Sequence, residues 1–224
     1  MEVVSSVMLD IVLGCTNERI KQVRGALPIH VLENSKYTYF RETDEIELES
    51  FFGLLYMRGL LGQNNHSSSI LFSAVTGHPV FSATMSQKRF EFLHSCISFD
   101  DITTRQERWK NDRFTAFRHI FSVFCDNCSK HIVPDEWLSL DETLFPMRNK
   151  ISFKQYNKSK PSKYGLLFKS INAVRYSYTF TSLPYCGKPI DESSPFYISG
   201  TENAAKHLVE NLEKHVDLQG RNFL

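Results

Sequence analysis

Between Thr143 and Ile190 the chain has no aspartate and no glutamate. The same stretch carries nine basic residues, Arg148, Lys150, Lys154, Lys158, Lys160, Lys163, Lys169, Arg175 and Lys188. Elsewhere 17 basic residues face 25 acidic ones, so a net charge of only +1 hides a split of +9 against −8. Such asymmetry excludes a uniformly basic protein and points to one electropositive face for an acidic partner. Cysteine is also scarce, at five residues. Their odd number and scatter argue against the disulfide framework of a secreted domain and fit reduced thiols. No apolar run approaches the ~20 residues of a membrane span. The N-terminus has Glu2 where a signal peptide is basic, and Asp10 interrupts its apolar run. A soluble, intracellular chain with no membrane partner is expected. Internal repeats and low-complexity segments are lacking too.

What is present is enough apolar material for a core: 42% of residues are hydrophobic, with 18 Phe and 9 Tyr, which argues against disorder. The first 134 residues read as mostly helical. A helix is predicted from Val4 to about Gln22, and residues 23–42 show no clear period and read as a connection. Asp44 and Glu47 resemble a helix N-terminus. The run that follows, Ile46 to Leu61, is apolar on most faces and is expected to be buried. Residues 62–84 read as loop, with turn signals at Asn64-Asn65-His66 and Gly77-His78-Pro79. Ser86 is placed to cap a helix carrying Phe90, Leu93 and Ile97. A longer helix from about Asp112 to His131 would bury Phe114, Phe117, Phe121, Phe124 and Cys128, and Pro134 ends it.

After Pro134 the period changes. Trp137–Leu144, Leu166–Val174 and Tyr176–Tyr185 read as strands, Glu202–Val216 as an amphipathic helix, and Arg221–Leu224 as the start of a fourth strand. The first strand sets Leu138, Leu140, Glu142 and Leu144 on one face and Ser139, Asp141 and Thr143 on the other. A strand carboxylate among apolar neighbours needs a partner, and a divalent cation is one candidate. Alone, such an Asp is more often salt-bridged, and a charge run is more often a solvated face. Together, a lone strand acid leading into an acid-free basic segment suggests metal-dependent chemistry on a polyanion. The turn from Lys160 to Lys163, with Pro161 stiffening its entry and Gly165 loosening its exit, projects lysines that would contact phosphates. Phe153, Tyr156, Tyr164 and Phe168 are interleaved with them; they could stack on bases, though strand-flanking aromatics usually belong to the core. Cys125 and Cys128, with His131, have the local look of a zinc half-site. No second pair completes it, and they read as core thiols. His207 and His215 lie two helical turns apart, too far for joint ligation. Ser, Cys and His show no arrangement for a covalent nucleophile, and no small-molecule substrate is expected.

Asp141-Glu142, followed by Phe145, Arg148, Phe153, Tyr156 and then Lys160-Pro161-Ser162-Lys163-Tyr164-Gly165, resembles the first catalytic-aspartate block of the piggyBac transposase family. Phe51-Phe52-Gly53-Leu54-Leu55, Met85-Ser86-Gln87-Lys88-Arg89-Phe90 and Phe99-Asp100-Asp101 occur upstream in the order found in that family. The resemblance implies an α+β chain: a helical dimerisation and DNA-binding-like region over 1–134, then the first half of an RNase H-like catalytic domain over 135–224. That half would comprise three strands, a helix and the start of a fourth strand, truncated at Leu224. It implies cut-and-paste DNA transposition at TTAA sites, with Asp141 as the first of three aspartates binding two Mg²⁺ ions roughly 3.5–4 Å apart. Arg148, Lys150, Lys154, Lys158, Lys160 and Lys163 are the expected DNA contacts, a second copy of the chain an expected partner, and the nucleus the expected location. The second aspartate of the pattern follows the fourth strand and the third lies farther on, so neither falls within these residues. Glu142 points to the opposite face and is no substitute. Catalysis by this chain alone is therefore not expected. The alternatives left open are a domesticated, non-catalytic DNA-binding or protein-interaction module and a truncated gene product.

Overall fold

A computed structural model of the protein describes residues 3–33, 35–147, 149–187, 194 and 196–224, with Ser35 and Lys36 described by backbone alone. The chain divides into two compact units, Ser6–Ile102 and Thr103–Leu224, the second also taking up the N-terminal residues before Ser6. The helix before the sheet thus belongs to the sheet-containing unit. Among the described residues no helix is long and apolar enough to cross a membrane.

The first unit is all helical: α1 (Ser6–Gly25), α2 (Ile29–Leu32), a 3-10 segment (Ser35–Phe40), α3 (Glu45–Leu60), α4 (Ser68–Leu71), α5 (Pro79–Thr84) and α6 (Gln87–Cys96). Its starts follow capping chemistry. The Asp44 carboxylate accepts from the Glu47 amide at 2.8 Å, and the Ser86 hydroxyl accepts from the Arg89 amide at 3.3 Å. Ile20, Phe51, Leu54, Leu71, Phe81, Phe90 and Leu93 form its core. Phe90 lies between Phe51 and Phe72, with ring centroids 5.3 Å from each.

Three expectations are corrected here. The segments 23–42 and 62–84 are not plain connections, since they hold α2, the 3-10 segment, α4 and α5. Pro28 and the His78-Pro79 pair start two of these short helices, which are too brief to display a period. Nor is α3 buried all round. Leu48, Phe51 and Leu54 face the core, while Ile46, Tyr56 and Leu60 are exposed.

Beside this apolar core the first unit buries a charge. Arg89, 3% exposed, donates through Nε to Glu47 Oε1 at 2.9 Å and through Nη2 to Glu47 Oε2 at 2.5 Å. Its remaining donors reach the carbonyls of Tyr39 at 2.7 Å, Arg41 at 2.6 Å and Glu42 at 3.1 Å. One guanidinium therefore holds the 39–42 segment, the first turn of α3 and α6 together, with its fork geometry satisfied.

The second unit begins with α7 (Arg105–Arg108) and α8 (Thr115–His131). The sheet follows, from β1 (Trp137–Pro146), β2 (Gln155–Tyr156), β3 (Tyr164–Ala173) and β4 (Thr179–Pro184), then α9 (Thr201–Glu213) and β5 (Asn222–Phe223). β3 pairs antiparallel with β1 on one edge and with both β2 and β4 on the other, and β5 joins the free edge of β1 in parallel. α9 lays Leu208 and Leu212 on Leu138, Ile171 and Phe180. α8 reaches the sheet through Phe121, whose ring lies 5.4 Å from that of Phe168, and through hydrogen bonds. The Ser129 hydroxyl donates to the Phe180 carbonyl at 3.0 Å, and the Tyr178 hydroxyl donates to the Cys128 carbonyl at 2.7 Å. Phe117 and Phe124, expected in the buried stripe of α8, are exposed, whereas Ile120, Cys128 and Ser129 are buried. Strand β2 is not legible in the sequence, because two residues carry no alternation.

The Arg89–Glu47 pair generates a stability prediction. Burial pushes the Glu47 carboxyl up, but the hydrogen bonds from Arg89 and Thr43 and the charges of Arg89 and Arg41 outweigh it, leaving it below its ordinary 4.5. A depressed folded value means that the pair's contribution is complete above the unfolded value and is lost as pH falls through the folded one. Glu47→Gln strands a buried guanidinium and is expected to cost about 3–5 kcal/mol. Amide-exchange protection in α3 and α6 should drop accordingly. The variant should also lose the part of the acid decline, as pH falls below 4.5, that wild type owes to this carboxyl. Unchanged protection in the variant would show that the pair is not what holds the unit.

Candidate nucleic-acid and metal site

Asp141 lies near the middle of β1, which pairs with β3 from Leu138 to Pro146 and with β5 at Trp137 and Leu138. In the β1–β3 ladder it stands opposite Ser170, and its neighbour Glu142 stands opposite Lys169. Alternation sends the two carboxylates to opposite faces. The Glu142 carboxylate pairs with the Lys169 ammonium at 3.5 Å. Asp141 is exposed and makes a local bond, its Oδ1 accepting from the Glu142 amide at 2.7 Å. Together with Ser139, Thr143, Asn172, Thr179 and Leu224 it lines an open concavity. β5 runs along that side, with the Leu224 carbonyl accepting from the Leu140 amide at 3.0 Å and the Leu224 amide donating to the Leu138 carbonyl at 2.9 Å.

A hard divalent cation takes several oxygens, at least one or two of them carboxylate. Asp141 supplies one carboxylate, and the other side chains named around it are neutral hydroxyls and an amide. Among the described residues no three of His, Cys, Asp and Glu stand close enough to share an ion. This donor set does not fit a resident metal ion, still less a pair of them.

The basic segment divides into tethered and untethered lysines. Lys160 Nζ donates to the Glu142 carbonyl at 2.9 Å, so the loop between β2 and β3 is bonded to the strand that carries Asp141. Lys154 Nζ donates to the Asn149 carbonyl at 3.2 Å and sits 5.5 Å over the Tyr164 ring. Lys150, Lys158 and Lys163 are exposed, and none of the three forms an ion pair with a described residue. Arg148 lies outside the described residues. An Asx turn shapes the loop: Asn157 Oδ1 accepts from the Ser159 amide at 3.0 Å, and the Asn157 amide donates to the Lys163 carbonyl at 2.8 Å. Gly165 does more than loosen the exit, because a Cβ there would collide with the Phe145 carbonyl across the ladder. The Asn-Lys-Ser sequence is a readable turn signal; the Lys160 bond to a distant carbonyl is not.

The aromatics of this segment also divide. Phe153 and Phe168 are buried with Phe114. Tyr156 and Tyr164 face each other across β2 and β3 with centroids 4.9 Å apart, and both are exposed. The core expectation thus holds for the two phenylalanines and is corrected for the two tyrosines. β2 is only two residues long and brings no further layer over them.

The cysteine pair on α8 has partners other than metal. Cys125 Sγ donates to the Ser182 carbonyl at 3.7 Å, and burial pushes its thiol up to about 12. Cys128 is buried, and burial raises its thiol as well. A thiol so far from ionising is a poor ligand and a poor nucleophile. His215 bonds Asp126 at 3.2 Å, and burial, followed by the charge of Lys214, lowers His207 below its ordinary value.

Known proteins resemble this chain in sequence and in fold. A family model described as Transposase IS4 matches residues 4–223. The human PiggyBac transposable element-derived protein 3 is 24% identical over 142 residues, which cover 63% of this chain and 23% of that protein. The human Chimeric ERCC6-PGBD3 protein is also 24% identical over 142 residues, covering 63% of this chain and 13% of its own length. A cryo-EM structure of a piggyBac transposase synaptic complex with hairpin DNA superposes with a TM-score of 0.81 at 27% identity, covering 98% of this chain and 43% of that one. The chain thus spans less than a quarter of these curated relatives and less than half of the structural one. With a match along almost its whole length, it belongs to the Transposase IS4 family, among the piggyBac transposases and the proteins derived from them.

Proposed function

We propose that the chain is a piggyBac-derived DNA-binding protein whose second unit is the opening half of an RNase H-like catalytic domain. The fold reading is supported by the strand order β4-β3-β1 in antiparallel pairing, with β5 then added to β1 in parallel after a helix. Asp141 is its first catalytic acid. The observation that carries the reading is the Lys160 bond to Glu142, which fastens a lysine-bearing loop to the strand of an exposed carboxylate. Phosphate and a reactive acid would meet there. DNA is the partner, a second copy of the chain assembles with it, and the nucleus is its location.

A second reading is favoured by the donor set. Among the described residues one exposed carboxylate among hydroxyls makes a poor ion site, and on this reading the chain binds DNA without cutting it, as a domesticated module would. Asp141 then offers a single oxygen ligand where the two-ion mechanism of phosphodiester chemistry needs a clamp on both sides.

Two outcomes are expected. The purified chain should neither nick nor join DNA with Mg²⁺ or Mn²⁺; metal-dependent nicking that Asp141→Ala abolishes would overturn the non-catalytic reading. In duplex binding, every phosphate that a variant no longer neutralises flattens the slope of log affinity against log salt by about 0.9. Lys158→Ala with Lys163→Ala should therefore flatten it by nearly two units for all sequences alike. Lys160→Ala should change the slope by less than one such step, because its ammonium is engaged by Glu142. A double variant with unchanged affinity and slope would move the DNA-binding surface out of this segment.

A further inference from the structure

The two tyrosines on the β2–β3 edge are not explained by phosphate binding or by the acid. Tyr156 and Tyr164 are directly opposed in the ladder, yet remain 55% and 56% exposed. Their rings are neighbours inclined by 48°, with centroids 4.9 Å apart. A cross-strand pair that merely secures a hairpin needs no such exposure, and nearby Phe153 and Phe168 are buried. Positive charge borders the pair: the Lys154 ammonium lies over the Tyr164 ring, and Lys158 and Lys163 are exposed on the loop that joins the two strands. That loop lies in the acid-free stretch from Thr143 to Ile190, so the sequence around it supplies no carboxylate to repel an anion.

We infer that Tyr156 and Tyr164 form a stacking platform for unpaired nucleotides of a single DNA strand. Every base offers a π-face to a tyrosine ring, and the phosphates on either side of a stacked base would fall toward the lysines. Duplex DNA keeps its faces stacked internally and cannot use the platform; it meets only the lysines. The inference rests on the DNA-binding reading above and adds to it a preference for unpaired over paired strands.

The test is fluorescence anisotropy with the full chain, a labelled oligothymidylate and a duplex of equal length, titrated at several salt concentrations. Tyr156→Ala with Tyr164→Ala is expected to weaken single-strand binding by about tenfold or more. Duplex affinity and both salt slopes should stay as they are, because no charge is removed. Tyr156→Phe with Tyr164→Phe keeps the ring faces and should bind single strands like wild type. Equal weakening for single strand and duplex in the alanine variant would reduce the pair to a hairpin support and overturn the inference. Unchanged single-strand affinity would overturn it too, while leaving DNA binding intact. A wild-type chain that binds neither probe would overturn the platform and the DNA-binding reading together.

Discussion

The nine-position ladder between β1 and β3 is the constraint on which the candidate site depends. It sets Leu138 and Leu140 against Ala173 and Ile171, and these residues form the surface that α9 covers. By the same register Asp141 falls opposite Ser170 on the other face, and Glu142 falls opposite Lys169. A slip of one residue would exchange the faces, burying Asp141 under α9 and exposing the leucines. The hydrophobic pattern therefore protects the position of the acid. Leu208 and Leu212, far from it in sequence, hold it in register by occupying the space behind.

Charges in the protein fall into two populations. Arg89 with Glu47 in the first unit, and Arg118 with Asp112 in the second, are structural. The Arg118 guanidinium reaches Asp112 at 2.7 Å and 2.8 Å and lies 5.2 Å from the rings of both Phe114 and Phe196. Arg89 has spent its hydrogen-bonding capacity internally, and Arg118 is held by Asp112 and two rings, so both are committed to the fold. Lys158 and Lys163 of the β2–β3 loop are the converse: exposed, unpaired with any described acid, and remote from acids in sequence. A net charge near zero is therefore no guide to what the molecule meets, since the acidic excess lies outside the segment that bears the untethered cations.

Sequence made the long elements readable, because a helix such as α1 or a strand such as β3 repeats its pattern often enough to be seen. It also marked Asp141, through alternation, and the lysine turn, through Asn157, Pro161 and Gly165. Shorter elements escaped, as α4 and β2 did, for want of a full period. Other errors have a different cause. Phe117 and Tyr164 are alike in composition-based burial, yet both are exposed, since burial is decided by whether another layer arrives. Nothing near Tyr164 in the chain reveals that β2 stops after two residues. The Lys160 bond to Glu142 links positions 18 apart through a backbone carbonyl, which leaves no trace in side-chain chemistry.

That last bond sets the relation between affinity and position. An ammonium donating to a carbonyl on β1 keeps the loop near the acid, but a phosphate recruiting Lys160 must compete with the bond already made. Lys158 and Lys163 face no such competition. Affinity for a polyanion should thus reside in the exposed pair, and the placement of that polyanion over β1 in the tethered lysine. On the proposed DNA-binding reading, one loop would in this way hold a strand loosely along its length and firmly in direction. The arrangement suits a surface where orientation relative to Asp141 matters more than tightness, whether or not chemistry follows.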